Sequence, residues 1–215
     1  AFGIWLFAFA VVGLLIAFRR PGNAIAWLCL GFAVAWGCQL AADAVLKYEM
    51  ANPGFIPRPD LLAVFADQVW VVGVGLLGFM LLLFPDGRLP SPRWRPVAWT
   101  LCITMVLVAA HGLMRPGPFP DWDFENPLGV EWVGRLEVAI YALLLTLITT
   151  LIVCASSLVV RHRRADKVGR RQLKWLAAAG LVSACSYALL FVADSLPWIL
   201  AWCTIPVAIG FAVFR

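Results

Sequence analysis

The sequence predicts an all-α fold: a polytopic transmembrane bundle of about seven helices, at roughly 20 residues per span, with its N-terminus outside and its C-terminus in the cytoplasm. Three observations predict it. The first is an apolar surplus. Of 215 residues, 63% are hydrophobic and 13% are charged, and the mean hydropathy is +0.89. Soluble domains are nearer half apolar and a quarter charged, so the bilayer must solvate much of this chain. The second is spacing. Apolar runs of membrane length recur from end to end and leave no room for a soluble domain of ordinary size. The third is charge asymmetry. The loops after the first, third and fifth spans, with Arg215, hold 13 Lys and Arg; the other side holds 4, namely Lys47, Arg58, Arg115 and Arg135. The positive-inside rule sets the orientation from that split. The acidic residues agree, because only Asp86 and Asp166 fall on the cytoplasmic side.

The elements follow in order, as one transmembrane domain over 1–215. The first span is expected at about 2–18 and ends at Arg19-Arg20-Pro21-Gly22-Asn23. No basic region precedes it, so it reads as a span with its start trimmed off and not as a signal peptide. The second is expected at about 24–46, followed by a proline-rich polar loop to residue 60. The third is expected at about 61–84 and the fourth at about 96–114. A loop over 115–131 holds four prolines and four acidic residues. The fifth span is expected at about 132–160, with a strongly basic loop after it. The last two are expected at about 175–193 and 198–214, joined by a short link at 194–197. Tryptophans at 27, 94, 99, 132, 175 and 198 fall near the expected interfaces, where the amphipathic indole is favoured. Small residues four apart, Gly31 with Ala35 and Gly180 with Ala184, suit close helix contact.

The stretch 84–96 hinges the third and fourth spans. It holds four prolines and three arginines. Pro85 stops the helix before it, because proline lacks an N–H and pushes the preceding residue out of the α region. Pro85, Asp86 and Gly87 supply a fixed φ, a side-chain acceptor and a residue free to take positive φ, which together make a structural turn. Pro96 suits the first turn of the next helix.

Ionisable groups within a bilayer are costly and point to function. Asp67 lies two turns into the third span, Asp43 near the end of the second, His111 near the end of the fourth, and Glu137 early in the fifth. Gln39 lies one turn before Asp43 on the same face. All five fall in the outer half of the membrane, where they could line a ligand-binding pocket. The plainer reading pairs Asp43 with Lys47 and lets Glu137 and His111 reach water. Asp67 resists it, since its neighbour Gln68 is expected to point elsewhere.

Other chemistries fail on inspection. The lysines lie in loops or at helix ends, so there is no retinal-type lysine within a span. There is no His-Glu-x-x-His, phosphate-binding loop or Gly-x-Ser-x-Gly. His162 sits alone among arginines and offers no metal geometry. The six cysteines fall in apolar runs without a Cys-x-x-Cys pair and read as small packing residues. No metal or other cofactor is expected in this segment. The net charge of +5 is parcelled into short loops, which suits anionic headgroups and not nucleic acid.

Five stretches carry a family pattern: Arg19-Arg20-Pro21-Gly22-Asn23; Phe84-Pro85-Asp86-Gly87-Arg88-Leu89-Pro90-Ser91-Pro92-Arg93-Trp94-Arg95-Pro96; Asn126-Pro127-Leu128-Gly129-Val130; Arg171-Gln172-Leu173-Lys174-Trp175-Leu176; and Pro206-Val207-Ala208-Ile209-Gly210-Phe211-Ala212-Val213-Phe214-Arg215. They run across almost the whole chain, and the second is the most specific. The pattern resembles the membrane-embedded N-terminal region of actinobacterial sensor histidine kinases. That resemblance implies a cytoplasmic kinase module beyond Arg215, with the phosphoacceptor histidine and the ATP site there and no catalytic residue in this segment. It also implies a homodimer and a response regulator as partner.

The expectation is therefore a sensory input domain in the plasma membrane. A ligand of unknown identity would shift packed helices between two states. Pro206 and Gly210 would let the last span bend and relay the signal. One alternative is a small transporter or channel, which would want charges through the full membrane depth and internal symmetry. Another is an intramembrane enzyme pairing His111 with a carboxylate.

Overall fold

The computed structural model describes residues 2–164, 205, 206 and 208–210. Their regular elements are helical: α1 (Phe2–Arg19), α2 (Ala24–Ala51), α3 (Pro59–Leu83), α4 (Arg95–Met114) and α5 (Glu137–Arg164). Short 3-10 turns at Pro92–Trp94 and Val133–Leu136 lead into α4 and α5. Residues 205, 206 and 208–210 are also helical.

Four segments, Ala24–Ala51, Pro59–Leu83, Pro92–Met114 and Val133–Arg163, are long and apolar enough to cross a bilayer. They define a multi-pass membrane protein. The sequence leads one to expect seven such helices, and the described residues hold four. α1 is apolar but short: its 18 residues rise roughly 27 Å, below the ~30 Å hydrocarbon core. The spans expected at 175–193 and 198–214 lie outside the described residues, apart from the helical positions near 206.

The boundaries move where hydropathy and helix propensity part company. α2 continues past residue 46 to Ala51, because Lys47, Tyr48 and Glu49 end the apolar run without breaking the helix. α5 likewise runs into the basic region as far as Arg164. α3 starts at Pro59, where a missing N–H is harmless, and Asp60 in its first turn suits the positive end of the helix dipole.

Two compact units emerge. The first takes Ala1–Val34, Leu76–Arg95 and Val153–Arg215; the second takes Ala35–Gly75 and Pro96–Ile152. In the first, α1 buries Trp5, Phe9, Val12 and Ile16, one face at helical spacing. Ile25, Cys29 and Phe32 of α2 are buried in the same unit. Trp5 and Phe9 both pack on Phe32, at ring-centroid distances of 5.3 Å and 4.6 Å. Leu76 of α3 lies beside Gly31 at a distance that would also accept a Cβ, so this contact does not depend on glycine. Gly180 and Ala184 lie outside the described residues. Cys29 is buried with its thiol 3.8 Å from the Met80 sulfur.

The turn after α3 belongs to the first unit. Gly87 has φ +71, and the Phe84–Pro85 peptide is cis. Asn23 caps α2, its Oδ1 accepting the Ile25 N–H at 3.0 Å, the usual N-cap bond. The same side chain donates from Nδ2 to the Pro85 carbonyl at 3.1 Å. A Cβ on Gly87 would stand 2.6 Å from the Ala24 nitrogen. Positive φ and this approach both require glycine.

In the second unit, Trp36 of α2 lies over Gly73 of α3, and Met105 of α4 lies over Gly75. Ala42 and Leu46 pack with Ala63, Val64 and Ala66, and with Phe119 and Trp122 from the loop after α4. That loop makes a small hairpin. Phe119 N–H donates to the Phe124 carbonyl at 3.0 Å, and Asn126 N–H to the Gly117 carbonyl at 3.1 Å. Phe119 and Trp122 are buried, while Asp121, Asp123 and Glu125 are exposed. The aromatic face packs on α2 and α3, and the carboxylates are exposed.

Candidate functional site

The second unit holds most of the residues singled out in the sequence. Asp67 and Gln68 follow Ala66 on α3, at the edge of the floor on which the hairpin rests. Asp67 is half-buried, and its Oδ2 accepts a hydrogen bond from Gln68 Nε2 at 2.8 Å. This corrects the expectation that Gln68 points elsewhere. The reason lies on α4: Gly112 has no side chain, and the Gln68 amide occupies the space a Cβ would fill. With that room the long glutamine side chain folds back to its neighbour. Arg115 and Asp121, from the end of α4 and from the hairpin, both lie within Coulombic reach of the Asp67 carboxylate.

The other predicted positions divide. Asp43 pairs with Lys47 at 2.7 Å, one turn along α2, as the plainer reading expects. Gln39 is half-buried, and its Oε1 has no partner among the described residues. Trp36 sits against Gly73 on the antiparallel α3. Gln39, a turn further along α2, therefore stands near the level of Trp70, about one turn from Asp67 along α3. His111 is half-buried beside Gly112 in the last turn of α4. Glu137 is exposed in the first turn of α5. There a carboxylate is favoured by the helix dipole alone, and no contact joins it to Asp67. Pro206 and Gly210 are both buried in helical backbone.

Three buried polar atoms in this unit, Gln39 Oε1, Gln68 Oε1 and Trp122 Nε1, find no protein partner among the described residues. Such atoms are normally satisfied, by water or ligand where not by protein. The unit thus offers two amide acceptors, one indole donor and a carboxylate, with an aromatic hairpin packed on its floor.

Sequence reasoning missed several fasteners. Asn126 donates to the carbonyls of Leu113 at 3.0 Å and Arg115 at 2.8 Å, and accepts from Leu128 N–H at 3.0 Å. It ties the hairpin to the end of α4. Glu49 is buried in the last turn of α2, where it accepts N–H bonds from Gly54 at 2.7 Å and Ile56 at 2.8 Å. The alternation of acidic and aromatic residues over 121–125 is the signal that could have revealed the hairpin. No signal marked Glu49, since its partners are backbone groups.

Among the described residues no group of His, Cys, Asp and Glu could hold a metal ion. Cys29, Cys38, Cys102 and Cys154 are free thiols. These features define a multi-pass helical membrane protein with a polar cluster in its second unit. No family model, curated protein or solved structure matches the chain.

Proposed function

We propose that the chain is the membrane sensory input domain of a two-component signalling histidine kinase. In this reading the hairpin lies outside the cell. The outer polar cluster receives the stimulus, and packed helices carry a shift to a cytoplasmic kinase module beyond residue 215. The carrying observation is the Asp67–Gln68 pair: a half-buried carboxylate on a membrane helix, held by an amide and bordered by a structured hairpin. Ionisable groups at such positions are costly and mark functional sites. Ligand contact with Gln39, Asp67, Gln68 or Trp122 that differs between two packings would bias one of them. On this reading Asp43 and His111 would border the cluster, while Glu137, exposed at the start of α5, would stand outside it. Pro206 and Gly210 would absorb bending in the last span.

The five sequence stretches support the kinase assignment, and the cap made by Asn23 and the tie made by Asn126 give two of them a physical meaning. On this reading the full protein is a homodimer, binds ATP in its kinase module and transfers phosphate to a response regulator. The test uses the full-length polypeptide in lipid nanodiscs, with autophosphorylation from ATP followed for wild type, Asp67→Asn and Asp67→Leu. Altered phosphorylation with an intact fold in either variant supports the reading. No ATP-dependent phosphorylation in wild type, or unchanged output in both variants, overturns it.

A further inference from the structure

A helix leaves its last four carbonyls without intrahelical partners, so the end of α3 can be accounted for group by group. The Met80 carbonyl accepts from Phe84 N–H at 3.0 Å, and the Leu83 carbonyl from Gly87 N–H at 2.9 Å. The Leu81 carbonyl would take its bond from residue 85, but Pro85 has no N–H to give. Its partner comes from another helix: Ser157 Oγ of α5 donates to it at 3.1 Å. The Leu82 carbonyl is filled from α5 as well, by Arg161 Nη2 at 3.3 Å. The same Nη2 also donates to the Arg88 carbonyl. Arg161 Nη1 stands 3.5 Å from Asp86 Oδ2 across the turn. Ser157 and Arg161 are one turn apart, so one face of α5 completes the end of α3 that proline leaves open.

We propose that Ser157 and Arg161 form a detachable lock that fixes the axial position of α5 against the turn after α3. The bonds are directional and close together, so sliding α5 by one turn breaks both. The docked state is poised, not maximally stabilised. The Arg161 side chain is 13% exposed, and its Nε has no partner among the described residues. Asp86 is 70% exposed, which leaves its attraction for the guanidinium weak and screened. An undocked α5 returns the guanidinium to water or headgroups, where arginine is well solvated, and opens the Leu81 and Leu82 carbonyls. The lock adds to the sensory reading a second moving element, α5, beside the last span.

The test is a distance. Spin labels are placed on cysteines at Arg93 and Arg163, both exposed, in a cysteine-free full chain reconstituted in nanodiscs of phosphatidylcholine and phosphatidylglycerol. The unmutated lock should give one dominant distance. Arg161→Gln should add a second population displaced by up to about 5 Å, the rise of one turn. Ser157→Ala, which removes one hydroxyl and leaves the fold's volume intact, should add the same population in smaller amount. If Arg161→Gln does not fold, Ser157→Ala and Arg161→Lys carry the test. The single wild-type distance in every variant that folds overturns the lock. No kinase output is read, so failure of the lock and failure of the sensory reading are distinguishable.

Discussion

Asn23 reaches across 62 positions of sequence to donate its side-chain amide to the carbonyl of Pro85. Its oxygen meanwhile caps α2. One side chain thus fastens the turn after α1 to the turn after α3. The two jobs can be separated. Asn23→Asp keeps the cap acceptor and loses the donor; Asn23→Ala loses both. We expect Asn23→Ala to lower unfolding free energy by about 1–3 kcal/mol and Asn23→Asp by a smaller amount. Equilibrium unfolding in mixed detergent micelles measures both, and equal stability of Asn23→Ala and wild type would remove the fastener.

Gly87→Val should cost far more than Ser91→Ala. A left-handed backbone disfavours any Cβ by about 1–2 kcal/mol, a β-branched residue more, and here the Cβ also meets Asn23 and Ala24. Ser91 forms no side-chain cap bond. Melting temperatures in detergent compare the two variants. Similar values would mean that the turn relaxes without loss.

The orientation is tested by labelling. Single reporter cysteines at Asp121 and Ser91, in a cysteine-free background, should react from opposite faces of intact cells with a membrane-impermeant maleimide. Asp121 should label from outside and Ser91 only after permeabilisation. The reverse pattern, or both labelling from one side, would contradict the topology drawn from the arginines.

The hairpin should stand or fall on its aromatic face. Trp122→Ala removes a buried indole from the cluster with Ala42, Leu46 and Ala63, a loss on the scale of about 3–5 kcal/mol for a buried aromatic. That is enough to release the hairpin locally. Hydrogen exchange over 117–126 should accelerate in Trp122→Ala and stay near wild type in Asp123→Ala, whose carboxylate is exposed. Equal exchange in the two variants would show that the packing does not hold the hairpin.

At Asp67 the outcome depends on volume and polarity separately. Asp67→Asn keeps a group that can bond Gln68, so its melting temperature should stay close to wild type. Asp67→Leu leaves the Gln68 amide unpaired, and a buried unpaired amide costs about 1–3 kcal/mol. A drop in melting temperature for leucine alone is expected. No drop in either would mean that water already serves the glutamine.

Much of the fold could be read from the sequence, for physical reasons that differ by element. Apolar length announced α2, α3, α4 and α5, because a membrane helix must be apolar over its whole span. It misplaced their ends, since the apolar run stops at Lys47 while the helix continues to Ala51. Gly87 could be foreseen because only glycine suits the turn, but Asn23 could not be assigned its second bond without the partner in view. In the polar cluster, Asp67 was legible by the cost of its charge. Its bond to Gln68 was hidden, because it depends on a missing side chain at Gly112 on another helix. Glu137 was singled out by the same cost argument and proved exposed, its position explained by the start of α5.

The exchange of a backbone donor for a side-chain donor at the end of α3 also has a consequence for descent. Leu81 needs one donor, and Pro85 transfers that need to position 157. Lineages that keep proline at 85 should keep serine, threonine or another short donor at 157. In lineages where 85 regains an amide hydrogen, position 157 is released to drift toward alanine or glycine. Two sites on different helices, far apart in sequence, should therefore change together, and the order of change is biased: losing the hydroxyl first leaves the Leu81 carbonyl unpaired.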